Sequence, residues 1–358
     1  MINYKLVFFF IFIFYAKNFL ALKTYSNKRL NEWTVITAHN ANLNWEDSKV
    51  LPNLANQKFS IDKQISFGVR GFMVDIDWKV CSAFEKFFKS CSCEGVCMCH
   101  GPCDSSLFKD GFDIKPFSYI LKKMVNFLKR NPDEIITLFL ENYIVDSSKL
   151  LSIYESVDDL TNLLFDPYYW NVTELGWPKI ADMISANKRL LIIDDEKRGF
   201  HVDYIRGLIR SRDFVLQNRY EWTKDKYEWP LAKMKNESLN ENNKTSVSII
   251  MPRCCSVHNV QGKPLWDENR PLNHSAKEHV NQVVHGEKLF LFNNFYGIQI
   301  AKFIMDPFTL KLMNDKDFIF KRIVERCNAG TRGIKPTHIA LDFVNQFEVQ
   351  NILNHFNN

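Results

Sequence analysis

Short apolar runs recur along this chain at residues 33–38, 69–76, 96–99, 134–140, 189–194, 214–217, 288–292 and 338–343. Near-continuous apolar runs of this length read as strands covered on both faces, as in a parallel sheet. Amphipathic segments lie between them. In the clearest, 116–130, Phe117, Ile120, Leu121, Met124, Phe127 and Leu128 recur at helical spacing. Pro116 suits a first-turn position, and Asn131-Pro132 stops the helix before the next strand. Eight strands alternating with helices predict an α/β fold, a TIM-type (β/α)8 barrel with room for distortion. Residues 221–286 are the least regular and read as a long insertion between the sixth and seventh strands. A further apolar run at 246–251 leaves the strand count open by one.

The N-terminus adds a different pattern. Leu6 to Tyr15 is an unbroken apolar run after Lys5. It fits a signal-peptide core and is shorter than the ~20 residues that span a bilayer. Residues 1–22 are therefore expected to be a signal peptide and 23–358 one secreted barrel domain, an uncleaved anchor being the rival reading. Six of the nine cysteines fall between Cys81 and Cys103. In an oxidising compartment that cluster reads as local disulfides, the alternative being a zinc site with His100. Sequons at Asn171, Asn236, Asn243 and Asn273 fit the same route. The net charge of +5 is too mild to argue for nucleic acid and is compatible with an anionic membrane or phosphate substrate.

Polar residues cluster where four of the runs end. His39 and Asn40 follow the first, Asp75 and Asp77 the second, His100 the third, and Glu141 and Asn142 the fourth. In a TIM barrel the carboxyl ends of the strands meet at one face, where active sites are built. Any one of these residues alone reads as a turn or cap. Together they predict two histidines and three carboxylates converging. Imidazoles suit both proton abstraction and donation near neutrality, and oxygen ligands suit a hard cation.

The segments ThrAlaHisAsnAla (37–41), AsnGlnLysPheSerIle (56–61), residues 64–76, CysHisGly (99–101) and residues 132–142 resemble, in order and spacing, the X region of phosphatidylinositol-specific phospholipase C. Small secreted members with only that region are the nearest in kind. The resemblance implies His39 and His100 as the acid–base pair, with His39 assigned as base. It implies Asn40, Asp75 and Glu141 as ligands of a divalent cation, Ca²⁺ favoured over Mg²⁺, with Asp77 a further ligand or base. Metal-free bacterial members carry an arginine near the Asp75–Asp77 position; here that position is acidic, and Arg70 reads as structural. Lys197, Asn218 and Tyr220 are candidate substrate contacts. The implied activity is a phosphoric diester hydrolase or lyase acting on a phospholipid or lipid anchor at a membrane surface. The alternatives are a sphingomyelinase D- or lysophospholipase D-like enzyme, a silent headgroup-binding protein and, more remotely, a structural or adhesive protein. Oligomeric state is not legible.

Overall fold

A computed structural model describes residues 27–49, 55–87, 91–103, 113–195, 205–218, 257–258, 288–294, 316–320 and 335–357. The signal-peptide assignment and the extra strand at 246–251 lie outside the described residues, as does nearly all of the 221–286 insertion. Ten strands form one sheet: β1 (Val35–Ala38), β2 (Gly71–Lys79), β3 (Gly95–Cys99), β4 (Ile136–Asn142), β5 (Leu190–Asp194), β6 (Leu208–Arg210), β7 (Val215–Asn218), β8 (Val257–His258), β9 (Leu289–Asn294) and β10 (His338–Leu341).

Eight of these run parallel, in the order β6-β5-β4-β2-β1-β10-β9-β7. Read around a ring, that order follows the chain from β1 through to β10 and back to β1, which is the order of a (β/α)8 barrel. The seam falls between β6 and β7, where the described residues form no ladder. Only the four-residue helix Ser211–Phe214 joins those strands. A parallel pair needs a crossover of about a dozen residues, so this connection cannot bring β7 alongside β6.

Two strand assignments from the sequence need correction. The run at 96–99 is not a barrel strand. It is β3, antiparallel to the outer half of β2, with Asp75 opposite Cys99 and Lys79 opposite Gly95. β2 is nine residues long and outruns its barrel neighbours, so its exposed edge takes a hairpin partner. The missing barrel strand is β6, three residues long and too short to show a periodicity. It follows Gly207, whose φ is +80° and on which a Cβ would sit 2.8 Å from Leu164 Cβ, so that a side chain is disfavoured there.

The central strands are buried almost throughout, and their side chains alternate with period two between an outer and an inner core. Ile36, Phe72, Val74, Leu138, Leu140 and Ile192 pack outward in one core with Ile120, Leu121, Met124 and Leu128 of the helix Phe117–Arg130. Met73, Phe139, Leu191, Ile193, Leu291 and Ala340 fill the barrel interior. His338 is buried there as well, its Nδ1 3.0 Å from Thr337 Oγ1 and its Nε2 3.1 Å from Thr137 Oγ1 on β4. β1 and β2 approach closely at Gly71, where a Cβ would sit 2.1 Å from Thr37 Oγ1. That approach sets β2 against the strand that delivers His39.

Candidate active site

The alternation that fills the interior with apolar side chains also carries polar ones to its upper rim. Two residues beyond Met73 on β2 lies Asp75, and two beyond Phe139 on β4 lies Glu141. The pairs Met73–Phe139 and Asp75–Glu141 are both in register. Ile193 is followed by Asp195, Ala340 by Asp342, and Thr37 by His39, and Asn293 lies two beyond Leu291. Strand-end polarity is thus one layer of the barrel.

His39 stands just past β1 and its main-chain N–H donates to Leu341 O. Its Nδ1 lies 2.8 Å from Asp342 Oδ1, both residues being buried. A carboxylate accepts the Nδ1 proton, which puts the imidazole lone pair on Nε2. The segment 55–57 packs under this pair. Gln57 Nε2 donates to His39 O and Leu341 O at 2.7 and 3.0 Å, tying the end of β1 to the end of β10. Asn56 Nδ2 donates to Asp342 Oδ1 at 3.1 Å.

His100 follows β3 on the loop closed by the Cys99–Cys103 disulfide. Burial and the neighbouring His39 push its pKa down to about 4, against an upward pull from Asp342. The two histidines therefore lie within electrostatic reach of one another. Two carboxylates fasten the loop. Gly101 N donates to Asp75 Oδ2 at 2.5 Å, and Cys103 N donates to Asp77 Oδ2 at 3.1 Å. The other oxygen of Asp77 accepts from Trp78 N at 2.8 Å. Both Asp77 oxygens thus engage amides, which favours the role of loop anchor over that of ligand. The remaining disulfides, Cys81–Cys91 and Cys93–Cys97, brace the same hairpin and leave none of its six cysteines for zinc.

Tyr143 OH donates to Glu141 Oε2 at 3.2 Å. Burial and the carboxylates of Glu141, Asp75 and Asp195 raise its pKa, so these four groups share one neighbourhood. Asn40 has φ +45°, a left-handed conformation that asparagine tolerates. It is buried, and its Oδ1 accepts no hydrogen bond. Among the described residues no group of three or more His, Cys, Asp or Glu side chains is placed to hold a metal ion. An oxygen set of Asn40, Asp75 and Glu141 needs only two of those types, and a buried amide oxygen that lacks a donor fits a hard cation.

Several rim residues escape the strand-end reading: Asp342, Asn56, Asp195, Gln217 and Asn293. Glu141, Asp195, Ser211 and Gln217 line one cleft over the barrel interior, and Asn293 Nδ2 donates to Gln217 Oε1 at 3.3 Å. Asp342 and Asp195 follow β10 and β5 just as His39 follows β1, so the same criterion applied to all eight strands finds them. Lys197, Tyr220 and the side chain of Asn218 lie outside the described residues. Arg70 is structural, donating to Glu134 Oε1 and Oε2 and to the carbonyls of Ile65 and Val69.

Fold and rim together define a (β/α)8 protein with a buried His39–Asp342 pair and the carboxylates Asp75, Glu141 and Asp195 at the carboxyl ends of its strands. The chain belongs to the PI-PLC X domain family, whose model matches residues 25–251. It is 28% identical over 176 residues to a PI-PLC X domain-containing protein of Arabidopsis thaliana, covering 45% of this chain and 35% of that one. It is 24% identical over 176 residues to PI-PLC X domain-containing protein 1 of Arthroderma benhamiae, covering 48% and 49%. The matched segment thus spans half or less of each relative. Among solved structures, the phosphatidylinositol-specific phospholipase C of Listeria monocytogenes superposes with a TM-score of 0.49 at 13% identity, covering 92% of this chain and 94% of its own. It is the strand order, and not that superposition, which defines the barrel here.

Proposed function

We propose that this chain is a secreted phosphodiesterase of the phospholipase C type, cleaving a lipid-headgroup phosphodiester by acid–base catalysis between two histidines. The observation that carries this reading is the buried His39–Asp342 pair within electrostatic reach of His100. Asp342 holds the His39 ring and stabilises the imidazolium that forms as Nε2 takes a proton from the attacking hydroxyl. Its lowered pKa leaves His100 neutral in the resting protein; the negative charge of a bound diester raises that pKa, so that His100 takes up a proton from solvent on binding and then delivers it to the leaving oxygen. In a phosphoinositide the ring's own hydroxyl attacks, giving a cyclic phosphate. The rim would hold a divalent cation through Asn40, Asp75 and Glu141. When bound, such a cation neutralises charge on the phosphoryl oxygens. Tyr143, kept protonated, orients Glu141. The three disulfides require an oxidising compartment, in keeping with secretion.

The test presents the purified, disulfide-intact protein with phosphatidylinositol, lysophospholipid and sphingomyelin vesicles, in Ca²⁺, Mg²⁺ or EDTA, and follows products by phosphorus NMR. The expected result is a cyclic phosphate from phosphatidylinositol, dependent on the cation and lost in His39→Ala. Folded protein that turns over none of the three would count against the enzyme reading.

A further inference from the structure

We infer that Asn56 is a positioning residue that dictates which end of the Asn40 side-chain amide faces the cation site. The inference rests on the cation reading above and adds to it a residue outside the ligand set. It starts from the acceptor-only character of a carboxylate. Asp342 Oδ1 already accepts from His39 Nδ1, and the Asn56 amide meets the same oxygen at 3.1 Å. Only the NH₂ end of Asn56 can make that contact; this Nδ2 also lies 3.4 Å from His39 Nδ1. Its carbonyl end is thereby turned the other way, where it lies 3.4 Å from Asn40 Nδ2. Facing a carbonyl, Asn40 must present its own NH₂ end. What remains is Asn40 Oδ1, buried and accepting no hydrogen bond. A buried carbonyl oxygen in that position is costly unless something positive meets it.

The polarity of the base's carboxylate is thus passed through one amide to set the polarity of a second. Asn56 can do this because its own main chain is fixed. Its N–H donates to Leu43 O at 3.1 Å, and its carbonyl accepts from Phe343 N at 2.8 Å. It is pinned between the segments that follow β1 and β10, so the proton-transfer pair and the cation ligand share one support. Without Asn56, the Asn40 amide is able to flip and offer NH₂ to a cation.

Calorimetric titration of the full-length, disulfide-intact protein with Ca²⁺ tests this without reference to turnover. Asn56→Leu is expected to weaken Ca²⁺ binding by about ten- to a hundredfold, the usual range for groups that orient metal ligands. Asn56→Asp, nearly isosteric, keeps an acceptor facing Asn40 but loses the donor to Asp342. It should therefore retain Ca²⁺ affinity while kcat falls. Asn40→Asp supplies the control a merely structural role would not move. Both ends of an aspartate are oxygens, so orientation ceases to matter, and adding Asn56→Leu in that background should cost no affinity. Equal Ca²⁺ affinity in wild type and Asn56→Leu would overturn the inference and leave the cation reading standing. So would an equal loss in both backgrounds, which would mark Asn56 as general support for the fold. A wild-type protein that binds neither Ca²⁺ nor Mg²⁺ would overturn the cation reading and this inference with it.

Discussion

At the scale of single residues, the proposed mechanism separates side chains that would move protons from those that would hold these in place. Asp342 belongs with the second group. Asp342→Asn keeps the shape but offers an amide where His39 Nδ1 needs an acceptor, and the other tautomer becomes favoured. By analogy with other His–Asp pairs, kcat should fall by about a hundred- to ten-thousandfold. KM and the melting temperature should change little, which steady-state kinetics and calorimetry would check. His338 makes the contrasting case of a histidine with no part in the chemistry. Complete burial pushes its pKa down to about 3, below the ~6.5 of an unfolded chain. Between those values the unfolded state binds more protons, so His338 lowers stability as pH falls through that window. His338→Gln, which can still reach both threonines, should flatten the acid limb by up to about 1.4 kcal/mol per pH unit near pH 5–6. Urea unfolding at a series of pH values would show it.

Elements deliver these residues by period and register. The strand ends were legible in the sequence because an apolar run that stops at a histidine or carboxylate is a local feature. Two things were not legible. β3 reads like any short apolar strand, and only the ladder to the overhanging end of β2 makes it antiparallel. β6 has three residues and no pattern. Asn56 was missed for a related reason. Its role comes from packing against Asp342, nearly three hundred positions away in sequence, which no spacing encodes. Gly71 belongs to this scale too. Its missing side chain brings β2 onto Thr37, two residues before His39. Gly71→Ala should destabilise the barrel by about 1–3 kcal/mol, as overpacking does, and should lower kcat by displacing His39. The β2–β3 hairpin supports a further prediction. The Cys99–Cys103 bridge closes the loop whose amides bind Asp75 and Asp77. Replacing both cysteines by alanine should lower kcat at least about tenfold, a positioning effect, with the far-UV dichroism unchanged.

For the whole molecule, the order of eight parallel strands and their polar upper layer follow from one alternation carried round a ring. The apolar inner layers hold the barrel together, and the final layer is polar. The family was legible because its motifs lie on β1, β2, β4 and the His100 loop, all within residues 33–142. The later segments, from which the candidate contacts Lys197, Asn218 and Tyr220 come, carry weaker signals in the sequence. In the proposed reaction His39 and His100 move protons in opposite directions across one phosphodiester. The most direct measurement compares two water-soluble inositol phosphodiesters, one with an alkyl alcohol as leaving group and one with p-nitrophenol, in wild type and in His100→Ala. A general acid matters most when the leaving group is poor. The account predicts a loss of about 10²-fold or more with the alkyl ester and a much smaller one with the nitrophenyl ester. Equal losses with both substrates would contradict the assignment of His100 as the acid.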